Sequence, residues 1–285
     1  MKLVQFIRGG EMRIGIFTQE GLIDATDALK HKVPTKMEEV ISGGEAILKD
    51  LRQLANSGVQ PVSDEEVRFL PCVTKPEKIL CVGLNYISHT SETQMEIPKY
   101  PVLFNKYNNA LAAHKQKIVL PSSAEQFDYE AELVIVIGRE ARGVSKENAL
   151  SYVFGYAPGN DLSARDLQFR THQWLLGKTC DGFAPIGPCI TTADEVGDPQ
   201  SLQIECRVNG ELRQSSNTHN MIFDCATIVS YISQFMTLRP GDIIFTGTPS
   251  GVILGMPKEK QQWLKAGDEV QVTIEKLGTL INVMA

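Results

Sequence analysis

The chain opens with three short apolar segments, residues 2–7, 12–17 and 21–24, separated by Gly9-Gly10 and by Glu20-Gly21. Brief apolar runs punctuated by glycine predict a meander of strands. Two helical stretches follow. In the second, Ile47, Leu48, Leu51, Leu54 and Ala55 share one helical face, and Gly58 stands where a helix would stop. From Gly58 to Lys78 the pattern dissolves: Pro61, Pro71 and Pro76 surround the charged run Asp64-Glu65-Glu66, which reads as a linker. The chain is thus expected to divide into a small α+β domain, residues 1–70, and a larger one, residues 71–285.

Past the linker the apolar runs are strand-sized. They predict strands near 79–82, 102–105, 117–120, 130–137, 152–157, 202–208, 242–246, 269–275 and 280–283, and Asn209-Gly210 marks a tight hairpin. Helical patterning is confined to 146–151, 222–236 and a short segment near Asn85. There is no strand–helix–strand rhythm, and no G-x-G-x-x-G or Walker loop, which argues against a dinucleotide or P-loop enzyme. The expected fold class is α+β, mostly β: a mixed, mainly antiparallel sheet structure with peripheral helices.

Charge narrows the partners. Lys and Arg number 28 against 34 Asp and Glu, a net charge of −6, so neither nucleic acid nor an anionic membrane is expected as a partner. No run approaches the roughly 20 apolar residues of a membrane helix. The N-terminal residues lack a long apolar core and a cleavage site, so no signal peptide is expected. The six cysteines (72, 81, 180, 189, 206 and 225) form no C-x-x-C pair or zinc spacing. They fit buried thiols in a reducing compartment, and the expectation is a cytoplasmic protein.

Several polar residues stand out against this background. Glu130 and Glu132 in Asp128-Tyr-Glu-Ala-Glu-Leu-Val-Ile-Val-Ile-Gly138 are two apart on a strand and share a face. Adjacent carboxylates suit a hard divalent ion, although a solvated outer face would look the same. Asp161 ends a strand-like run and could add a third ligand or cap the following turn. His89 and Glu92 stand one helical turn apart, so the carboxylate could orient the imidazole as a base, or the pair could be incidental. Lys178, a cation in a Gly/Pro-punctuated apolar stretch, suits either a pocket or an exposed loop. Thr248 in Thr246-Gly-Thr-Pro-Ser-Gly251 could serve an anion or an ordinary turn.

Five segments, taken in order, resemble the fumarylacetoacetate hydrolase family, in its acylpyruvase and oxaloacetate decarboxylase-like branch. They are Asn85-Tyr-x-x-His-x-x-Glu92, Asp128-Tyr-Glu-x-Glu-Leu133, Asn160-Asp-x-Ser-x-Arg-Asp-x-Gln168, Gln173-Trp-x-x-Gly-Lys-x-x-Asp-x-Phe-x-Pro-x-Gly-Pro188, and Pro240-Gly-Asp242 continuing to Thr246-Gly-Thr-Pro-x-Gly-Val252. The likeness covers about residues 73–285 and implies a mixed β-roll or barrel-like catalytic domain. It implies that Glu130, Glu132 and Asp161 bind one Mg²⁺ or Mn²⁺. It further implies that His89, Glu92 and Lys178 are catalytic, and that Lys106, Arg165, Gln168 and Thr248 line the substrate site. At Lys106 the match is weaker, since Tyr107 stands where the family often has proline.

The activity implied is metal-dependent chemistry on a small anionic 2-oxo acid: C–C hydrolysis of an acylpyruvate, or decarboxylation of oxaloacetate, through a metal-bound enolate. Isomerase-type proton transfer and a non-catalytic metabolite-binding protein are the alternatives. A homodimer is also implied by the resemblance. The segment from Ser91 to Pro101, with Glu92, Met95 and Ile97, is expected to act as a lid.

Overall fold

The computed structural model describes residues 1–92 and 96–285. Two sheets carry most of the chain. In the larger, the strand order is Leu22–Asp24, Glu11–Phe17, Lys2–Arg8, Ile190–Thr192, Val153–Asn160, Ala131–Ile137, Ile243–Phe245, Ile79–Gly83 and Val102–Lys106, with Arg68–Phe69 also paired to Lys2–Arg8. The smaller sheet runs Glu211–Asn217, Gln203–Val208, Glu269–Ile274, Gly278–Met284 and Lys117–Ile118. Neither strand order returns to its start, so among the described residues both sheets remain open. The architecture is mixed, mostly β and α+β, as the apolar pattern predicts.

Strand Ala131–Ile137 explains why its sequence is continuously apolar. Every residue in it is buried, because both faces of the strand are covered. Leu133, Ile135 and Ile137 join the core made with Ile204, Cys206, Val270 and Val272 of the smaller sheet. Val134 and Val136 face the other way, into a second core with Val40, Ile41, Leu48 and Leu51 of the helical segment Met37–Ala55, which is kinked at Gly44. Alternation therefore survives in the packing although it is invisible in the polarity. In the smaller sheet it is visible: Gln203–Val208 alternates exposed or half-exposed positions with buried ones.

The N-terminal segment is woven into the larger sheet. Lys2 and Leu3 pair with Thr191 and Ile190, and Phe6 pairs with Phe69 in the stretch that lacked any periodic pattern. Strand Ile190–Thr192, which makes this join, is three residues long and too short to generate a periodic signal. The Asn209-Gly210 hairpin has the φ values a mirror-image two-residue turn requires, +51° and +82°, with Val208 opposite Glu211. The helix near Asn85 spans Ile87–Glu92 and the later one Cys225–Phe235. Of the proposed lid, residues 93–95, including Met95, lie outside the described residues. Among the described residues, no helix is long and apolar enough to cross a membrane.

Candidate active site

The two central strands of the larger sheet set the chemistry. Pairing continues one step past their ladder, which ends at Ala131 opposite Asn160: Asp161 N–H donates to the Glu130 carbonyl at 3.0 Å, and the Asn160 side-chain oxygen accepts from Glu130 N–H at 2.9 Å. Glu130 and Asp161 are thereby brought side by side although 31 positions apart. One oxygen each from Glu130, Glu132 and Asp161 lies within 4.8 Å of the others, and all three residues are buried.

Buried carboxylates need compensation. Lys178 supplies part of it, with Nζ 2.7 Å from Glu130 Oε2 and 3.0 Å from Asp161 Oδ2. Arg165 spans three partners, donating to Asp128 Oδ2 and Gln168 Oε1 at 2.9 Å and to Glu130 Oε1 at 2.7 Å. The turns that carry these two cations touch backbone to backbone. A Cβ on Gly177 would stand 2.4 Å from Gln168 N and 2.5 Å from the Ala164 carbonyl, so no larger residue fits.

Electrostatics follow this arrangement. Burial works against ionisation of Glu130, yet Lys178 and Arg165 outweigh it and hold its carboxyl well below the usual carboxylate range. Glu132 goes the other way: burial, reinforced by the charges of Asp161 and Glu130, raises it well above that range. Burial also opposes the charge on Lys178, but Asp161 and Glu130 prevail and its pKa is raised. Glu132 keeps one firm donor, Gly247 N–H at 2.6 Å from Oε2. Three buried carboxylates converging on one point form the kind of oxygen-donor set that suits a hard divalent cation. Glu130, Glu132 and Asp161 are the residues that could hold one.

Above the cluster lies a small cleft. His89, Arg165, Gln168, Lys178 and Thr248 line it together with the three acids, and Val82, Leu84, Phe104, Phe169, Trp174 and Leu254 give it an apolar wall. His89 Nδ1 stands 3.5 Å from Glu92 Oε2. The Glu92 carboxylate also accepts from Gly251 N–H, at 3.0 and 3.2 Å. The helix bearing both residues is entered through Leu84, at φ +58°, a conformation costly for a branched side chain. Asn85 holds that turn in place, donating to the Thr246 carbonyl at 2.7 Å and accepting from Phe223 N–H at 2.7 Å.

One sequence-derived contact needs correction. Lys106 is absent from the residues lining the cleft. Its ammonium is buried behind Asp161, 2.5 Å from Oδ1, and donates to the carbonyls of Leu162, Lys178 and Phe183. These partners occupy the cation and leave it no path to a substrate. Arg165 reaches the cleft wall, but its guanidinium is committed to Asp128, Glu130 and Gln168.

Two supporting residues escape sequence reasoning. Asp128 is fully buried and accepts from the N–H groups of Ile253 and Leu254 at 2.9 and 3.0 Å as well as from Arg165. Its neighbourhood with Glu130 and Glu132 suggested a solvated edge. Gln214, on strand Glu211–Asn217, bonds across to Ala131 and Thr248. No local motif surrounds it.

Comparison with known proteins identifies the family. Residues 78–285 match the family model described as fumarylacetoacetate (FAA) hydrolase, C-terminal. The chain is 42% identical to a mitochondrial oxaloacetate tautomerase, FAHD2B of Bos taurus, over 99% of this chain and 91% of that protein. Among solved structures, it resembles a fumarylacetoacetate hydrolase from Exiguobacterium antarcticum (38% identity, TM-score 0.88, covering 100% of this chain and 99% of the other). It also resembles a maleylpyruvate hydrolase from Sphingobium sp. SYK-6 in complex with manganese(II) and pyruvate (32% identity, TM-score 0.82, the same coverages). The expectation of a cytoplasmic protein is overturned here, because the curated relative is a mitochondrial one. The physical reason is simple: dispersed free thiols report a reducing environment, and reducing conditions do not single out one compartment.

Proposed function

The chain belongs to the fumarylacetoacetate hydrolase family, and from that premise we propose that it interconverts the keto and enol forms of oxaloacetate or a closely similar small 2-oxo acid. One observation carries this reading: a buried three-carboxylate cluster shares one small cleft with His89, whose Nδ1 is backed by Glu92. The resemblance over nearly the whole chain to an oxaloacetate tautomerase supports the choice of reaction.

A Mg²⁺ or Mn²⁺ ion held by Glu130, Glu132 and Asp161 would supply Lewis-acid polarisation of the 2-oxo group. The protein's own residues do the rest. Glu92 beside Nδ1 orients His89 and leaves Nε2 as the base that takes a proton from C3. As the C3–H bond breaks, charge moves to the carbonyl oxygen, where Lys178 stabilises it. Return of that proton from His89 to the oxygen completes the enol and restores the neutral base, and the reverse sequence regenerates the ketone. Gln168 and Thr248 orient the acid, and the apolar wall limits the water that reaches the carbanion.

A second reading, C–C hydrolysis of an acylpyruvate-type substrate, draws support from the likeness to a maleylpyruvate hydrolase. There His89 would activate water instead. The experiment follows the enol absorbance of oxaloacetate with Mg²⁺ or Mn²⁺ while pyruvate is assayed in parallel. Enol exchange without pyruvate supports tautomerisation; pyruvate from oxaloacetate or acetylpyruvate would replace it with lyase or hydrolase chemistry; inertness towards all of these rejects both. The homodimer implied by the resemblance stands as part of the proposal, to be checked by sedimentation.

A further inference from the structure

We infer that Gln214 is a positioning residue that turns the Thr248 hydroxyl proton into the cleft and so makes Thr248 a fixed hydrogen-bond donor to an anionic substrate oxygen. This rests on the reading that the cleft takes a 2-oxo acid.

Gln214 is nearly completely buried, and its amide faces three groups. Oε1 accepts from Ala131 N–H at 3.0 Å, while Nε2 donates to Thr248 Oγ1 at 2.8 Å and to the Pro249 carbonyl at 2.9 Å. A backbone N–H can only donate and a carbonyl can only accept, so both ends of the amide are assigned by chemistry. Thr248 Oγ1 must therefore accept from Nε2, and its own proton has to point elsewhere. Among the described residues no protein acceptor takes that proton, and the side chain lines the cleft alongside Glu132 and Lys178. A hydroxyl locked in this sense attracts an oxyanion and disfavours a donor.

The strand is shaped for this task. Its pairing with Gln203–Val208 slips at Cys206/Arg207, so that Cys206 faces Gln214 while Arg207 faces Leu212. Such a bulge re-aims a side chain, and the loop of Thr248 seats against it: a Cβ on Gly251 would stand 2.1 Å from the Arg213 carbonyl. Ala131 lies between Glu130 and Glu132, so one amide links the spacing of the acid pair to the orientation of Thr248.

The test is a double-variant cycle on steady-state kinetics with oxaloacetate and Mg²⁺. Gln214→Glu keeps the acceptor for Ala131 but presents an oxygen to Thr248, which reverses the hydroxyl. Gln214→Glu and Thr248→Val should each raise KM about tenfold or more, the loss of one hydrogen bond to a charged oxygen. Their kcat should stay within about threefold. The double variant should be no worse than the poorer single one, since both remove the same bond. Thr248→Ser should retain the wild-type KM. A wild-type KM in Gln214→Glu, or KM increases that multiply in the double variant, would overturn the inference while leaving the proposed activity intact. Should Gln214→Glu not fold, equal KM values for Thr248→Val and Thr248→Ser would also overturn it. A wild-type protein inert towards oxaloacetate overturns the proposed activity and this inference with it.

Discussion

Arg165 donates Nε–H to Asp128 Oδ2 at 2.9 Å, and this wholly buried pair aims the same guanidinium at Glu130, 2.7 Å away. Asp128 also caps the turn after Gly251 through the N–H groups of Ile253 and Leu254. Asp128→Ala leaves a buried cation and two backbone donors short of partners. Loss of one member of such a pair costs about 3–5 kcal/mol. Urea unfolding should show a fall of this size in stability, and a variant as stable as the wild type would refute the clamp.

The acid cluster predicts metal affinity directly. Removing even an outer partner of a metal ligand weakens binding about 10–100-fold, so Glu132→Ala and Asp161→Ala should lose at least this much Mn²⁺ affinity by calorimetry. Chelation by EDTA should abolish turnover, and added Mg²⁺ or Mn²⁺ should restore it.

His89 is expected to act after binding. Replacing it with Gln should lower kcat about 10²–10⁴-fold, the usual worth of a positioned acid or base, with Mn²⁺ affinity unchanged. Glu92→Gln should have a smaller effect, because Gly251 N–H can still hold the side chain beside His89. Equal turnover in His89→Gln and the wild type would remove the dyad from the mechanism.

Gly177 lies where the turns bearing Lys178 and Arg165 meet. Gly177→Ala drives a methyl group into Gln168 N and the Ala164 carbonyl, so the turns must separate. The predicted result is weakened metal binding together with a lower Tm, seen by calorimetry and thermal melting. A folded variant with wild-type metal affinity would mean that the two cations need no such close approach.

Acid sensitivity is expected at helix Cys225–Phe235. Asp224 caps it, accepting from Thr227 N–H at 2.7 Å and pairing with Lys146 at 2.7 Å. Partial burial opposes ionisation, but these partners prevail and bring its carboxyl below the ordinary value of 3.8. A depressed folded pKa adds stability that is present above the unfolded value and is lost as pH falls through the folded one. The Tm difference between wild type and Asp224→Ala should therefore be full near neutral pH and shrink as the pH drops below about 4.

Much of this was legible in the sequence, because local rules govern it. Strand-length apolar runs, the Asn209-Gly210 turn and the amphipathic face of Ile47, Leu48, Leu51 and Leu54 depend on neighbours only a few residues away, and the structure contains each of them. The ordered segments around His89, Glu130, Asp161, Lys178 and Thr248 identify a family for the same reason: each element presents its residues through its own backbone. Tertiary structure decided what depends on residues distant in sequence. Only the sheet shows that Lys2–Arg8 joins Val153–Asn160, the strand that leads into Asp161, through Ile190–Thr192. Burial behind Asp161 turns Lys106 away from the cleft, and burial beneath Glu130 makes Asp128 a support when its sequence suggested a wet edge. Gln214 carries no signature, since its significance lies in meeting Ala131 and Thr248, 83 and 34 positions away. The acidity of the composition was evident from the outset; which carboxylates lose water and gather within 4.8 Å was decided by the packing of two strand ends.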